Sequence, residues 1–152
     1  MKKSMAGLLS ALLSVFLMAG CSSAKAPDAD WRIIVASDLH YLAPELTDHG
    51  ELFQRVMEAG DGKMTEYCDP IVDAFLSEVI ETRPEVLILT GDLSFNGARK
   101  SHEALAEKLA CVEEAGIPVL VLTGNHDVYR SEAYSYIGDT GEAVDGFLNA
   151  VN

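Results

Sequence analysis

Positive charge is scarce in this sequence: of 152 residues only 11 are Lys or Arg, against 24 Asp or Glu, for a formal net charge of −13. A surface so acidic repels nucleic acid backbones and anionic lipid heads, so no nucleic acid partner is expected. An anionic substrate then needs a local positive charge, and metal ions are the obvious source. Cysteine is also sparse. Cys21, Cys68 and Cys111 are the only three, at no recognisable spacing, which argues against a disulfide scaffold without deciding whether Cys68 and Cys111 pair. Cys111 falls on a helical apolar stripe, where a buried free thiol is expected. No uncharged apolar run reaches the ~20 residues of a spanning helix. No internal repeat recurs, and no biased tract occurs beyond SSAKAPDAD at 22–30.

The longest uncharged run, residues 5–20, follows Lys2 and Lys3 and reads as a secretory signal, with an uncleaved signal anchor as the alternative. Ala19 and Gly20 precede Cys21, and the tract LMAGC resembles the lipobox of bacterial lipoproteins, departing from it at Met18. The resemblance implies that 1–20 are removed and that Cys21 is lipidated. Residues 21–30 then form a tether, and the domain 31–152 lies outside the cytoplasm, lipid-anchored to the bacterial cell membrane. A diacylated cysteine supplies the more than one chain that stable anchoring requires. About 130 residues follow the signal, enough for one domain with a real core.

Three short apolar runs, Ile33-Ile34-Val35-Ala36, Val86-Leu87-Ile88-Leu89 and Val119-Leu120-Val121-Leu122, are continuous rather than alternating. They are expected to be strands covered on both faces. Between the last two, Leu105, Leu109 and Val112 mark a helix that Ser101 can cap and that Gly116 and Pro118 stop. Before the second run, Asp69-Pro70 reads as a cap and first residue. The stripe Ile71, Val72, Phe75, Leu76, Val79, Ile80 then runs to Arg83-Pro84. Strand, helix, strand, helix, strand is the order of an α/β fold with parallel strands, whose ligands collect beyond the carboxyl ends of the strands. The segment 42–68 is too long for a plain connection and is expected to be a partly helical insertion near the site, with Leu52, Val56 and Met57 helically spaced. Its AGDGK lacks the preceding strand and following Ser or Thr of a phosphate-binding loop, so a turn with Lys63 in solvent is expected.

Each strand runs into a polar motif: Ser37-Asp38-Leu39-His40-Tyr41, Thr90-Gly91-Asp92-Leu93 and Thr123-Gly124-Asn125-His126-Asp127. In extended chain, residues i and i+2 point the same way, so Asp38 and His40 can both reach one cation. The glycines let the backbone turn tightly and approach a site closely. Any one of these motifs alone is more often a turn. Three successive strands ending in DxH, GD and GNHD are not.

These motifs resemble the calcineurin-like metallophosphoesterase superfamily over roughly residues 31–130, and the tract GDLSFNGARKSH resembles its exported bacterial, cyclic-nucleotide-type phosphodiesterase branch. The resemblance implies a β-sandwich flanked by helices, of which this chain holds the N-terminal part. It implies two divalent ions, Mn, Fe or Zn, bound by Asp38, His40, Asp92 as the bridging ligand, and Asn125. It assigns His126 to the substrate, as transition-state stabiliser and proton donor, with Asp127 orienting it. The partner implied is a small phosphoester, with cyclic nucleotides among the candidates. The family's later histidine motifs do not occur in this sequence, and residues Phe147, Leu148 and Val151 look like the start of a helix. The chain is therefore expected to be a piece of a longer protein, binding metal weakly by itself and turning over little. A catalytically inactive binding lipoprotein on the same fold is the competing reading. His49 and His102 match no motif, and His102 is expected to be exposed. Asn96-Gly97 reads as a turn, Arg99 and Lys100 as solvated, and Trp31 as packed at the first strand.

Overall fold

The computed structural model describes residues 31–60, 62–128 and 133–147. The signal, Cys21, the tether and the helix anticipated after Phe147 lie outside the described residues. The three apolar runs form β1 (Ile33–Ala36), β2 (Val86–Thr90) and β3 (Val119–Leu122), a parallel sheet with β2 in the centre. Ile34 pairs with Leu87, and Leu87 with Val119. The insertion carries α1 (Glu51–Ala59). Helices α2 (Cys68–Thr82) and α3 (Arg99–Glu114) are the two crossovers, α4 (Asn125–Val128) is a single turn after β3, and β4 (Tyr134–Ser135) pairs antiparallel with β5 (Glu142–Ala143). The α/β order read from the sequence is the order observed.

The core forms between one face of the sheet and the two crossover helices. Leu87 and Leu89 of β2 meet Val72, Leu76 and Val79 of α2 and Leu105, Leu109 and Val112 of α3, all buried, with Phe53 of α1 at the flank. Each such side chain contributes about 1.5–3 kcal/mol through burial. The opposite face is bare among the described residues: Ile33 and Val35 of β1 and Leu120 and Leu122 of β3 are each more than half exposed. This corrects the expectation of strands covered on both faces. The reason is topological. A strand order that advances steadily from β1 to β3 through right-handed crossovers puts both helices on the same side.

Several local expectations are also corrected. Ser101 does not cap α3. The helix begins at Arg99, and Ser101 is a buried residue of its first turn whose Oγ accepts a hydrogen bond from the Ala43 amide (3.1 Å). Helix α2 starts one residue before Asp69, freeing that carboxylate to accept the Tyr41 hydroxyl (2.7 Å) and to pair with Lys108 of α3 (3.0 Å). Burial and this hydrogen bond push the Tyr41 phenol far above its ordinary range. Both described cysteines are free, and Cys111 is the exposed one while Cys68 is buried. The stripe of α3 runs through Leu105, Leu109 and Val112, with Cys111 off its edge. Trp31 is 73% exposed rather than packed. Among the described residues no helix is long and apolar enough to cross a membrane.

Candidate metal centre

Beyond their last paired residues, β1 and β2 stay laced by backbone hydrogen bonds. The Asp38 amide donates to the Gly91 carbonyl (3.0 Å), His40 to Asp92 (3.0 Å) and Tyr41 to Leu93 (2.9 Å), and Phe95 donates back to Tyr41 (2.9 Å). The two loops therefore run side by side off the carboxyl edge of the sheet. Among the described residues, three of the five non-glycine residues with positive φ lie in them: Asp38 (58°), His40 (44°) and Asp92 (49°). The left-handed conformation costs an L-residue about 1–2 kcal/mol, and such strain persists only where the surroundings over-determine it. Two of these residues, His40 and Asp92, contribute ligand atoms to one cluster. Gly91 (φ 107°) packs against the Gly124 backbone, and a Cβ on Gly124 would collide with the Asp92 carboxylate. The third loop thus lies directly on the second.

The result is a cluster at the strand ends. His40, Asp92 and His126 offer ligand atoms that all lie within 4.8 Å of one another. The His40 and His126 rings meet edge to face with centroids 4.7 Å apart. His126 is fixed at two points: its amide donates to Asp92 Oδ1 (3.1 Å), and its Nδ1 is 2.8 Å from the Phe95 carbonyl. A carbonyl only accepts, so Nδ1 carries the hydrogen and Nε2 is left for a ligand or substrate. Asp38 lies beside the cluster, with Oδ1 3.6 Å from His40 Nε2 and its side chain largely in solvent. Asn125 follows Gly124 at the head of α4 and is exposed. The structure thus brings His40, Asp92 and His126 together, sets Asp38 at their margin, and gathers His126, read from sequence as a substrate-facing group, into the ligand cluster itself.

The Asp127 carboxylate is taken up by donors of two loops. Its carboxylate is fully buried and accepts from the amides of Leu93 (3.1 Å), Ser94 (2.7 Å) and Gly124 (2.8 Å), and from the Ser94 hydroxyl (3.0 Å). The hydrogen bond that fixes the His126 ring goes from Nδ1 to the Phe95 carbonyl. A buried carboxylate is tolerable only when hydrogen-bonded, and these four donors belong to the loops after β2 and β3. Asp127 stitches those loops together on either side of Asp92 and Asn125.

The surroundings bias the His40 imidazole toward neutrality. The His40 pKa is lowered first by burial, then by the charges of Lys63 and His126, against the opposing pull of Asp92 and Asp38. A neutral imidazole keeps the lone pair that a cation needs, and two imidazoles with a carboxylate are a donor set suited to borderline divalent ions. The residues present therefore fit the metal that the motifs imply. His40 Nδ1 is buried and has no hydrogen-bond partner.

Residues outside the motifs also enter the site. Lys63 is half-buried and lies close enough to act on His40, not out in solvent. His102, expected to be exposed, is partly buried, with Nε2 3.3 Å from the Asp127 carbonyl and its ring against Phe147. Asn96 is a buried bracket, donating to the Tyr134 carbonyl (2.8 Å) and accepting from the Ala98 amide (3.3 Å). His49 stacks on Phe53 away from the cluster. Arg99 and Lys100 pair with Asp145 and Glu45 at the surface. Only Asn96 carried a sequence signal, the Asn-Gly turn.

Comparison with known proteins agrees with this geometry. A family model described as calcineurin-like phosphoesterase matches residues 32–151. A probable cyclic nucleotide phosphodiesterase of Synechococcus sp. is 38% identical over 58 residues, which are 38% of this chain and 22% of that relative. The matched stretch is thus well under two thirds of the relative's own length.

Proposed function

The chain belongs to the calcineurin-like phosphoesterase family, and from that premise we propose that it is part of a metal-dependent phosphoester hydrolase acting on small phosphodiesters. The observation that carries this reading is the convergence of His40, Asp92 and His126 at the ends of successive parallel strands. The cyclic nucleotide named for the Synechococcus relative is one substrate of that class.

In this reading Asp38, His40, Asp92 and Asn125 are the residues that would hold two divalent ions of the Mn, Fe or Zn type. When bound, the ions supply charge neutralisation at the phosphoryl oxygens and a water of raised nucleophilicity. The protein's own contribution is positioning and proton control. His126 Nδ1 is tied to the Phe95 carbonyl, so Nε2 is the atom that meets substrate and, when protonated, gives its proton to the departing ester oxygen. Asp127 keeps the loops that present Asp92 and Asn125 in fixed separation. Hydrolysis consumes one water and cleaves one P–O ester bond. The lipid anchor at Cys21 and an extracytoplasmic location belong to the same proposal and rest on residues 1–21 alone.

The test is hydrolysis of bis-p-nitrophenyl phosphate and p-nitrophenyl phosphate with added Mn²⁺, beside calorimetric titration of Mn²⁺, for the 152-residue chain and a longer version. Metal-dependent cleavage of the diester, lost with Asp92→Asn together with metal affinity, is expected. Capture of phosphoesters without hydrolysis at either length, unaffected by Asp92→Asn, would instead identify a binding protein.

A further inference from the structure

A cavity of about 370 Å³ opens beside the cluster and shares Asp38 and His40 with it. Three parts of the chain build it: the end of β1 and its loop (Ala36 to His40), the short segment of Lys63, Met64 and Thr65, and the face of α2 with Cys68, Ile71, Val72 and Phe75. Its volume falls in the range of small-molecule sites, and its composition has their usual form, mostly apolar walls with a few polar groups near the chemistry. We propose that this cavity is the subsite for an apolar, ring-sized ester group of the phosphoester, with Lys63 at its edge facing the anionic centre.

Several observations support a ligand over a packing fault. The walls include Ile71 and Met64, which are about half exposed, so apolar surface is held open to water beside the site where a substrate arrives. Two lining residues, His40 and Thr65, each hold a buried polar atom, Nδ1 and Oγ1, that no hydrogen bond satisfies. Unsatisfied buried polar atoms are rare and call for an explanation, and here both belong to residues that line one cavity. Lys63 is a lining residue of the cavity, in a chain with a strong acidic excess, and its charge acts on His40. A phosphoryl group at the cluster and a ring in the cavity are contiguous through Asp38 and His40, so one molecule can fill both.

The inference rests on the proposed phosphoester site only for where the phosphoryl group lies, and it concerns binding, so it can be tested without turnover. Phenylphosphonate and methylphosphonate carry the same anionic head and differ only in the ring. Titrated calorimetrically into the Mn²⁺-loaded chain, phenylphosphonate is expected to bind at least about tenfold more tightly, because the ring leaves water. Ile71→Glu places a charge in the cavity from an exposed helix position. It is expected to bring the two ligands within about twofold of each other while leaving methylphosphonate affinity unchanged. Met64→Glu, on the exposed rim, should act in the same direction and serves if Ile71→Glu disturbs the fold, as judged by its thermal melt. Equal affinities in the unaltered protein, a ring preference that survives both substitutions, or no binding of either phosphonate would overturn the subsite. A ring preference in a protein that never cleaves bis-p-nitrophenyl phosphate would keep the subsite and remove the hydrolase reading.

Discussion

Asp38 and Asp127 are both aspartates of strand-end motifs, and the structure gives them opposite energetic roles. Asp38 sits in a left-handed conformation, largely in water, with its Oδ1 3.6 Å from His40 Nε2. Replacing it by glycine relieves the backbone and removes no buried contact, while glycine's greater unfolded-state freedom acts the other way. Asp38→Gly is therefore expected to change stability by less than about 1 kcal/mol while weakening Mn²⁺ binding, as read by urea denaturation and calorimetry on the same preparation. Asp127→Ala should do the reverse of that pattern's first half. It strips the acceptor from three backbone amides at once, and a loss of about 3–5 kcal/mol is expected. A denaturation midpoint close to that of the unaltered chain would contradict the stitching role. Motif spacing alone could name both aspartates as functional. It could not tell them apart, because that difference depends on which loops lie within reach of each carboxylate.

At the scale of elements, the strands and crossover helices were legible because apolar runs and 3.6-residue stripes reflect burial directly. The helix beginnings were not. Ser101 and Asp69 are good caps by local chemistry, yet each side chain is used across the fold, by the Ala43 amide and by Tyr41 with Lys108. Tertiary partners outbid the local bond. The same blindness hid His102, which a helix-surface position made look exposed. Burial lowers its pKa from the ordinary 6.5, opposed by Asp127, and His40 is lowered likewise. Both imidazoles therefore stay neutral in the fold at pH values where they protonate in the unfolded chain. The stability tied to them is complete above 6.5 and declines as pH falls from there through their lowered folded-state values. The melting temperature should accordingly begin to drop as pH falls below about 6.5, above the window where aspartates titrate. His102→Gln, which keeps a donor for the Asp127 carbonyl, should show a smaller drop; the same drop in both proteins would remove His102 from the account.

For the molecule as a whole, the α/β class and the convergence of strand ends followed from the order of apolar runs and polar motifs. The sidedness of the sheet did not. A continuous apolar run reads as doubly buried, but Val35 and Leu120 face solvent among the described residues because both crossovers lie on the other side. Val35→Thr should then cost under about 1 kcal/mol in urea denaturation, whereas Leu89→Ala, on the covered face of the central strand, should cost about 2–5 kcal/mol. Comparable losses at the two positions would mean that the bare face is covered in solution.

The Asp127 stitch has a kinetic corollary. The amides of Leu93, Ser94 and Gly124 are protected by one carboxylate and not by a sheet ladder, so none can be released to deuterium without loosening the others' anchor. Their exchange should share a single opening free energy, one cooperative unit within the fold, and the strand-end loops should come apart all at once rather than fray one by one.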